Sequence, residues 1–173
     1  MTEKILIAGS GGQGIMLLGK VLATAAMDEN KFVTWLPAYG PEVRGGAAHC
    51  IVIISDAEIG SPCVDKADTL IIMNQLSFTK FKNRIKNKGL LILNSSLVEN
   101  NVGYPFTDIA TELGNVKVAN MVALGTYLAK RKNISLKNAL RAMEEIAPPG
   151  KKELLAINQQ ALLKGAGLVD GKS

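Results

Sequence analysis

Short apolar runs alternate with longer segments of helical period along the first two thirds of the chain. Ile5-Leu6-Ile7-Ala8 is an unbroken apolar run that ends at Gly9, the pattern of a strand buried on both faces. Ile15 to Met27, rich in Leu, Ala and Met, predicts a helix, and Phe32 to Leu36 a second strand. His49 to Ile54 is the strongest strand signal of all. Thr69 to Met73 and Leu90 to Leu93 read as further buried strands, separated by a helix from about Ser77 to Lys86, and Val116 to Ala119 as a last short strand.

Beyond Asn120 the pattern is wholly helical. Asn120 is placed to cap a helix over Met121 to Lys130. Ser135 caps a second, in which Leu136, Ala139, Leu140, Met143 and Ala147 share one face. Pro148-Pro149-Gly150 breaks it, and a third helix runs from about Lys151 to Lys164 and stops at Gly165. Strands alternating with helices predict an α/β fold. The expected form is a Rossmann-like open, mostly parallel sheet, with helices on both faces and a helical C-terminal tail packed on it.

Composition narrows the picture. At 173 residues the chain predicts a single domain over 1–173, large enough to bury a core without a staple. Its 47% hydrophobic and 20% charged residues belong to an ordinary folded domain, and the net charge of +5 is mild. With aromatics at only 5%, the stacking rings of a single-strand nucleic-acid binder are lacking. Two cysteines and one histidine are too few for a four-thiolate iron–sulfur cluster or a closed zinc site. Cys50 and Cys63, without CxxC spacing, read as buried free thiols of a reducing compartment. No apolar run is long enough to span a membrane. The expectation is a cytoplasmic protein with no nucleic-acid or membrane partner and no metal site of its own.

Candidate chemistry centres on two glycine-rich segments. Gly9-Ser10-Gly11-Gly12-Gln13-Gly14 fits G-x-G-x-x-G between a strand and a helix, where backbone amides attract anions. Gly9, Gly11, Gly12, Gln13 and Gly14 are therefore candidate cofactor-binding residues. The acidic residue that would hold a dinucleotide ribose is missing, because the second strand ends at Leu36-Pro37. Glycines that allow close packing of turn and helix are the plainer reading. Gly14 to Lys20 fits G-x-x-x-x-G-K, but Val21 stands where a Mg²⁺-binding hydroxyl is required, so a P-loop is rejected. The loop Tyr39-Gly40-Pro41-Glu42-Val43-Arg44-Gly45-Gly46 lies just past a strand end, where α/β proteins place their sites. Tyr39, Glu42, Arg44, Gly45 and Gly46 are its candidate partner- or coenzyme-facing residues. An ordinary loop with Glu42 paired to Arg44 is the competing account. His49 reads as a core histidine with no nucleophile beside it. Lys80, Lys82, Arg84, Lys86 and Lys88 read as a solvated helix surface. No catalytic acid, base or nucleophile emerges.

Taken together, the segments resemble the gamma subunit of 2-oxoacid:ferredoxin oxidoreductases. The carriers are the glycine motif at 9–14, the Tyr39–Gly46 loop, Ser61-Pro62, Met73-Asn74-Gln75 and Gly114-Asn115. Asn120-Met121-Val122-Ala123-Leu124-Gly125 and the stretch from Asn158 to Gly165 follow in the same order. The resemblance covers nearly the whole chain, with His49 as a departure where the family more often carries Asn. It implies a multisubunit enzyme that converts a 2-oxoacid and coenzyme A to acyl-CoA and CO₂, passing electrons to ferredoxin. Alpha, beta and delta chains are the implied partners, with thiamine diphosphate, Mg and iron–sulfur clusters bound outside this chain. The implied role here is assembly and shaping of the coenzyme A approach, with the isolated chain inactive and no cofactor bound by it alone. A stand-alone subunit of this kind favours 2-oxoglutarate or a branched-chain acid over pyruvate as substrate. The alternatives are a free-standing NAD(P)-dependent oxidoreductase and a coenzyme A-binding Rossmann-like module without chemistry.

Overall fold

The computed structural model describes residues 1–38, 47–99 and 102–170. Five strands form one sheet: β1 (Thr2–Ser10), β2 (Phe32–Ala38), β3 (Ala47–Ser55), β4 (Ala67–Ile72) and β5 (Ile85–Leu93). The order is β2-β3-β1-β4-β5. The helices are α1 (Ile15–Met27), α2 (Gln75–Phe81), α3 (Phe106–Glu112), α4 (Ala119–Arg131), α5 (Leu136–Ile146) and α6 (Lys152–Asp170).

The apolar run Ile5–Ala8 lies mid-sheet, and none of its four residues reaches solvent. β1 pairs with β4 in parallel and with β3 antiparallel, and β4 pairs with β5 in parallel. β2 pairs antiparallel with β3, from Phe32 opposite Ser55 to Ala38 opposite His49. Four strands therefore share one direction and β3 opposes them, a mostly parallel sheet with one reversed member. Alternation along β1 feeds two cores. Ile5 and Ile7 pack with residues of α1, α3, α4, α5 and α6 on one face. Leu6 and Ala8 pack on the other with Phe81 of α2, Val64 and Val98. The C-terminal helices join the thicker layer, as expected.

Several local expectations are corrected. Val116–Val118 is a turn of 3-10 helix, not a strand, because the Asn115 side chain accepts from the Lys117 amide and tightens the chain into α4. The helix expected over Ser77–Lys86 ends at Phe81, and its basic run passes through a 3-10 turn into β5. Asn120 does not cap α4: it lies within the first turn, and Val118 holds the cap position. Cys63 is exposed rather than buried. His49 is half-buried against Phe81, with ring centroids 4.9 Å apart.

Gly165 does not stop α6, which continues to Asp170. It marks instead the crossing of α6 over α4. A Cβ at Gly165 would lie 1.9 Å from the Val122 carbonyl oxygen, and one at Gly125 would lie 2.0 Å from that of Leu162. Each helix thus sets a glycine against the other's backbone. The Thr126 hydroxyl, fully buried, donates to Gly165 O at 3.0 Å.

At the opposite end of β1, Glu3 is 4% exposed. Its carboxylate accepts from Thr69 Oγ1 at 2.6 Å and pairs with Arg131 Nε at 2.7 Å. Arg131 Nη2 also donates to Asp68 O, and Asn133 Nδ2 bridges Glu3 and the Tyr127 hydroxyl. Burial, reinforced by the Glu3 charge, pushes the Tyr127 phenol above its ordinary pKa.

Cys50 packs beneath α1, its thiol directed at Ile15 O, and burial pushes that thiol up to about 12. Thiolate is the reactive species. A disulfide-exchange reagent at pH 8 is therefore expected to consume one thiol rapidly in the native chain, lost in Cys63→Ser, and the second only after unfolding. Two fast thiols in the native chain would contradict the burial of Cys50.

Candidate functional site

β1 and β4 are neighbours, yet the helices that follow them leave toward opposite faces: α1 into one core, α2 into the other. Such a divergence opens a crevice at the carboxyl ends of the strands, where open α/β sheets bind their ligands. The glycine turn forms one lip. Ser10 closes β1, Gly12 takes φ +87° and Gly14 φ +69°, and Gly14 caps α1 without a side-chain acceptor.

The five candidate glycine-motif residues divide by role. A Cβ at Gly9 would meet Ile15 Cδ1 at 2.7 Å and Gln13 Oε1 at 2.8 Å. One at Gly14 would meet Asn120 Nδ2 at 2.3 Å. These two glycines allow close packing. The Gln13 side chain is spent within the fold: Oε1 accepts from Ser10 N at 2.7 Å, and Nε2 donates to Met73 O at 3.2 Å. Gly11 and Gly12 are exposed, and a Cβ at Gly12 would touch nothing within 4 Å. They are the members of the motif whose backbone is left open to solvent.

Residues from three further strand and helix ends brace this lip. Asn74 caps α2 by accepting from Ser77 N at 2.9 Å, while its Nδ2 donates to Ser10 Oγ and, at 3.2 Å, to Gln13 Oε1. Asn94, at the end of β5 and fully buried, donates to Met73 O at 3.1 Å and to Thr107 Oγ1 at 2.8 Å. Asn120 Nδ2 donates to Gly14 O at 3.0 Å. Sequence reasoning offered Asn74 only as a motif member and Asn120 as a motif member and helix cap, and it missed Asn94 and Thr107. An Asn directly after a buried apolar run was the available signal. Between these groups lies a cavity of about 130 Å³ lined by Gly12, Gln13, Met73, Leu97, Thr107 and Lys117, among others. Leu97 and Val116 leave apolar surface exposed at its rim.

Tyr39, Glu42, Arg44, Gly45 and Gly46 lie outside the described residues. Their flanks are placed: Ala38 ends β2, and Ala47 begins β3 opposite Ser10, on the same sheet edge as the glycine turn. Among the described residues no acidic side chain stands at the end of β2, where a dinucleotide site would need one. In that fold the second strand adjoins the first, whereas here β3 separates β2 from β1 by two strand spacings, roughly 10 Å. Among the described residues no three His, Cys, Asp or Glu side chains converge to hold a metal ion, and no helix is long and apolar enough to cross a membrane.

Residues 4–168 match the family model described as pyruvate ferredoxin/flavodoxin oxidoreductase. The chain is 34% identical over 169 residues to ketoisovalerate oxidoreductase subunit VorA of Methanothermobacter thermautotrophicus, covering 94% of this chain and 35% of that protein, about a third of its length. It is 36% identical over 172 residues to 2-oxoglutarate synthase subunit KorC of Methanocaldococcus jannaschii, covering 92% of each. Among solved structures, a keto/oxoacid ferredoxin oxidoreductase gamma subunit from Geobacter sulfurreducens superimposes with a TM-score of 0.85 at 29% identity, over 98% of this chain and 99% of that one.

Proposed function

The chain belongs to the pyruvate ferredoxin/flavodoxin oxidoreductase family, and we propose that it serves as the gamma-type subunit of a 2-oxoacid:ferredoxin oxidoreductase. The observation that carries this reading is the mutual coverage with KorC, 92% in both directions, together with the gamma-subunit fold. The complex would cleave the bond between the carboxylate and the carbonyl carbon of a 2-oxoacid and release CO₂. The acyl group would pass to the thiol of coenzyme A, and two electrons to ferredoxin.

Identity grades the substrate. The chain is 34% and 36% identical to the ketoisovalerate and 2-oxoglutarate subunits but 25% and 28% identical to two pyruvate synthase PorC subunits. A branched-chain 2-oxoacid or 2-oxoglutarate is the substrate class this favours.

The chain's own part is to shape a surface. Its crevice presents exposed Gly11 and Gly12 beside Lys117. Small residues there let another backbone or a phosphate approach closely, and a lysine ammonium complements an anion. A 2-oxoglutarate:ferredoxin oxidoreductase from Magnetococcus marinus, solved with 2-oxoglutarate, coenzyme A and succinyl-CoA bound, shares the fold at a TM-score of 0.88. Coenzyme A is accordingly the anion we assign to this side, with the Tyr39–Gly46 segment facing the partner chains. Thiamine diphosphate, Mg and the iron–sulfur clusters are assigned to those partners.

Purification with the neighbouring subunits, followed by coenzyme A-dependent viologen reduction, tests the reading. The complex is expected to turn over 2-oxoglutarate or 2-oxoisovalerate faster than pyruvate, and the chain alone none of them. Turnover by the isolated chain, or full turnover by a complex that lacks it, would overturn the assignment.

A further inference from the structure

Gly11 and Gly12 carry no side chains, so whatever they present to a ligand or partner is presented by backbone. A glycine-rich backbone is the least constrained that a chain can offer. Something else must fix it.

The fixing groups are side-chain amides. Gln13 folds back over its own turn and holds Ser10 N, while its Nε2 reaches Met73 O across the crevice. Asn74 meets it from the other lip, donating to Ser10 Oγ and to Gln13 Oε1. The Asn74 Oδ1 atom is occupied separately by the α2 cap, accepting from Ser77 N. One amide thus performs two separable tasks, with its oxygen on α2 and its nitrogen on the glycine turn. Because α1 and α2 lie on opposite faces of the sheet, this contact is a tie across the point where the two layers diverge. Met73 O also accepts from Asn94 Nδ2, which extends the tie to the end of β5.

We infer that Asn74, acting through Gln13, is a positioning residue that locks the Gly11-Gly12 backbone in place at the crevice. The inference rests on the reading of that crevice as the coenzyme A side of a gamma-type subunit. Its chemistry explains why a side-chain amide is needed at both positions. Each must donate and accept at once, which neither a carboxylate nor a hydrocarbon of similar size can do.

Asn74→Asp separates the two tasks. The retained Oδ1 still caps α2, while loss of the NH₂ group removes the donors to Ser10 Oγ and Gln13 Oε1 and sets a carboxylate against an acceptor. Two readouts are needed. Amide hydrogen exchange on the full chain is expected to show residues 10–14 opening about tenfold or more faster in Asn74→Asp, with α2 unchanged. In the assembled complex the same variant is expected to raise the KM for coenzyme A by roughly fivefold or more, with a smaller fall in kcat, as misplacement of a binding element does. Gln13→Glu, which keeps the acceptor for Ser10 N and loses the donor to Met73 O, is expected to move both readouts in the same direction.

Unchanged exchange over 10–14 would overturn the inference outright. Faster exchange with an unmoved KM would also overturn it, because the tie would then serve only stability. If the wild-type complex shows no coenzyme A-dependent turnover, the functional reading fails by itself. The exchange result then decides alone whether Asn74 locks the turn.

Discussion

Arg131→Leu is expected to destabilise the chain by about 3 kcal/mol or more, the cost of leaving a buried carboxylate without its cation. Glu3 is almost wholly enclosed, and Arg131 Nε is its cationic partner at 2.7 Å. Thr69 and Asn133 would still donate to the carboxylate, but neither carries charge. Arg131 also satisfies Asp68 O, so its removal opens a second deficit. The double variant Glu3→Leu/Arg131→Leu is expected to be more stable than Arg131→Leu, because replacing both members of a buried pair by apolar groups removes the uncompensated charge. Urea denaturation of both variants and the wild type measures this. A double variant no better than the single one would mean that the ion pair is not the source of the loss.

Gly165→Ala and Gly125→Ala are each expected to lower stability by about 2 kcal/mol, and Gly165→Leu to prevent α6 from docking at all. In an exposed helix the same glycine-to-alanine change would raise stability by roughly 1 kcal/mol through helix propensity. Here the sign reverses. The added carbon would stand 1.9 or 2.0 Å from a backbone oxygen of the facing helix, and a carbonyl locked in a helix cannot rotate aside. Relief requires the helices to separate, which uncovers Val122, Leu162 and Ala161, all fully buried. At 2–4 °C per kcal/mol for a chain of this size, the alanine variants are expected to melt roughly 4–8 °C lower. A rise in Tm for either would show that the helices do not cross as closely as described.

How far the fold could be read from the sequence depends on whether its cause is local. The buried runs at Ile5, His49, Thr69 and Leu90 are strands because no surface helix leaves so many consecutive apolar positions. α1 is bounded as its pattern predicts, from Ile15 to Met27. The errors share a physical origin. Every second residue from Lys80 to Lys88 is basic, and that period of two is partly the period of β5, which carries Lys86 and Lys88. Val116-Lys117-Val118 has the same alternation over too few residues to decide between a strand and a tight turn. Gly165 has the composition of a helix stop, and only the nearness of α4 makes it a crossing point. Strand order is still less local: nothing in the β2–β3 stretch announces that it inserts beside β1 in reverse.

The site divides in the same way. A glycine turn after β1 was legible, because the motif is contiguous. The pairing of Gln13 with Asn74 joins residues 61 positions apart, and that of Gly14 with Asn120 joins residues 106 apart. No window of sequence contains either pair.

The enclosure of Glu3 also has a timetable. Asn133, one of the residues that completes its surroundings, follows it by 130 positions. At ~5–20 residues per second, synthesis takes roughly 6–26 s to travel that far. Throughout that interval the carboxylate at the first strand of the sheet has neither Arg131 nor Asn133, and β1 can pair with β3 and β4 only with its lower end still wet. The nascent sheet therefore waits, open at one corner, for a segment synthesised after all five of its strands. Chains released before Arg131 would carry a permanently unclosed edge, which gives a protease or chaperone a ready mark of incompleteness.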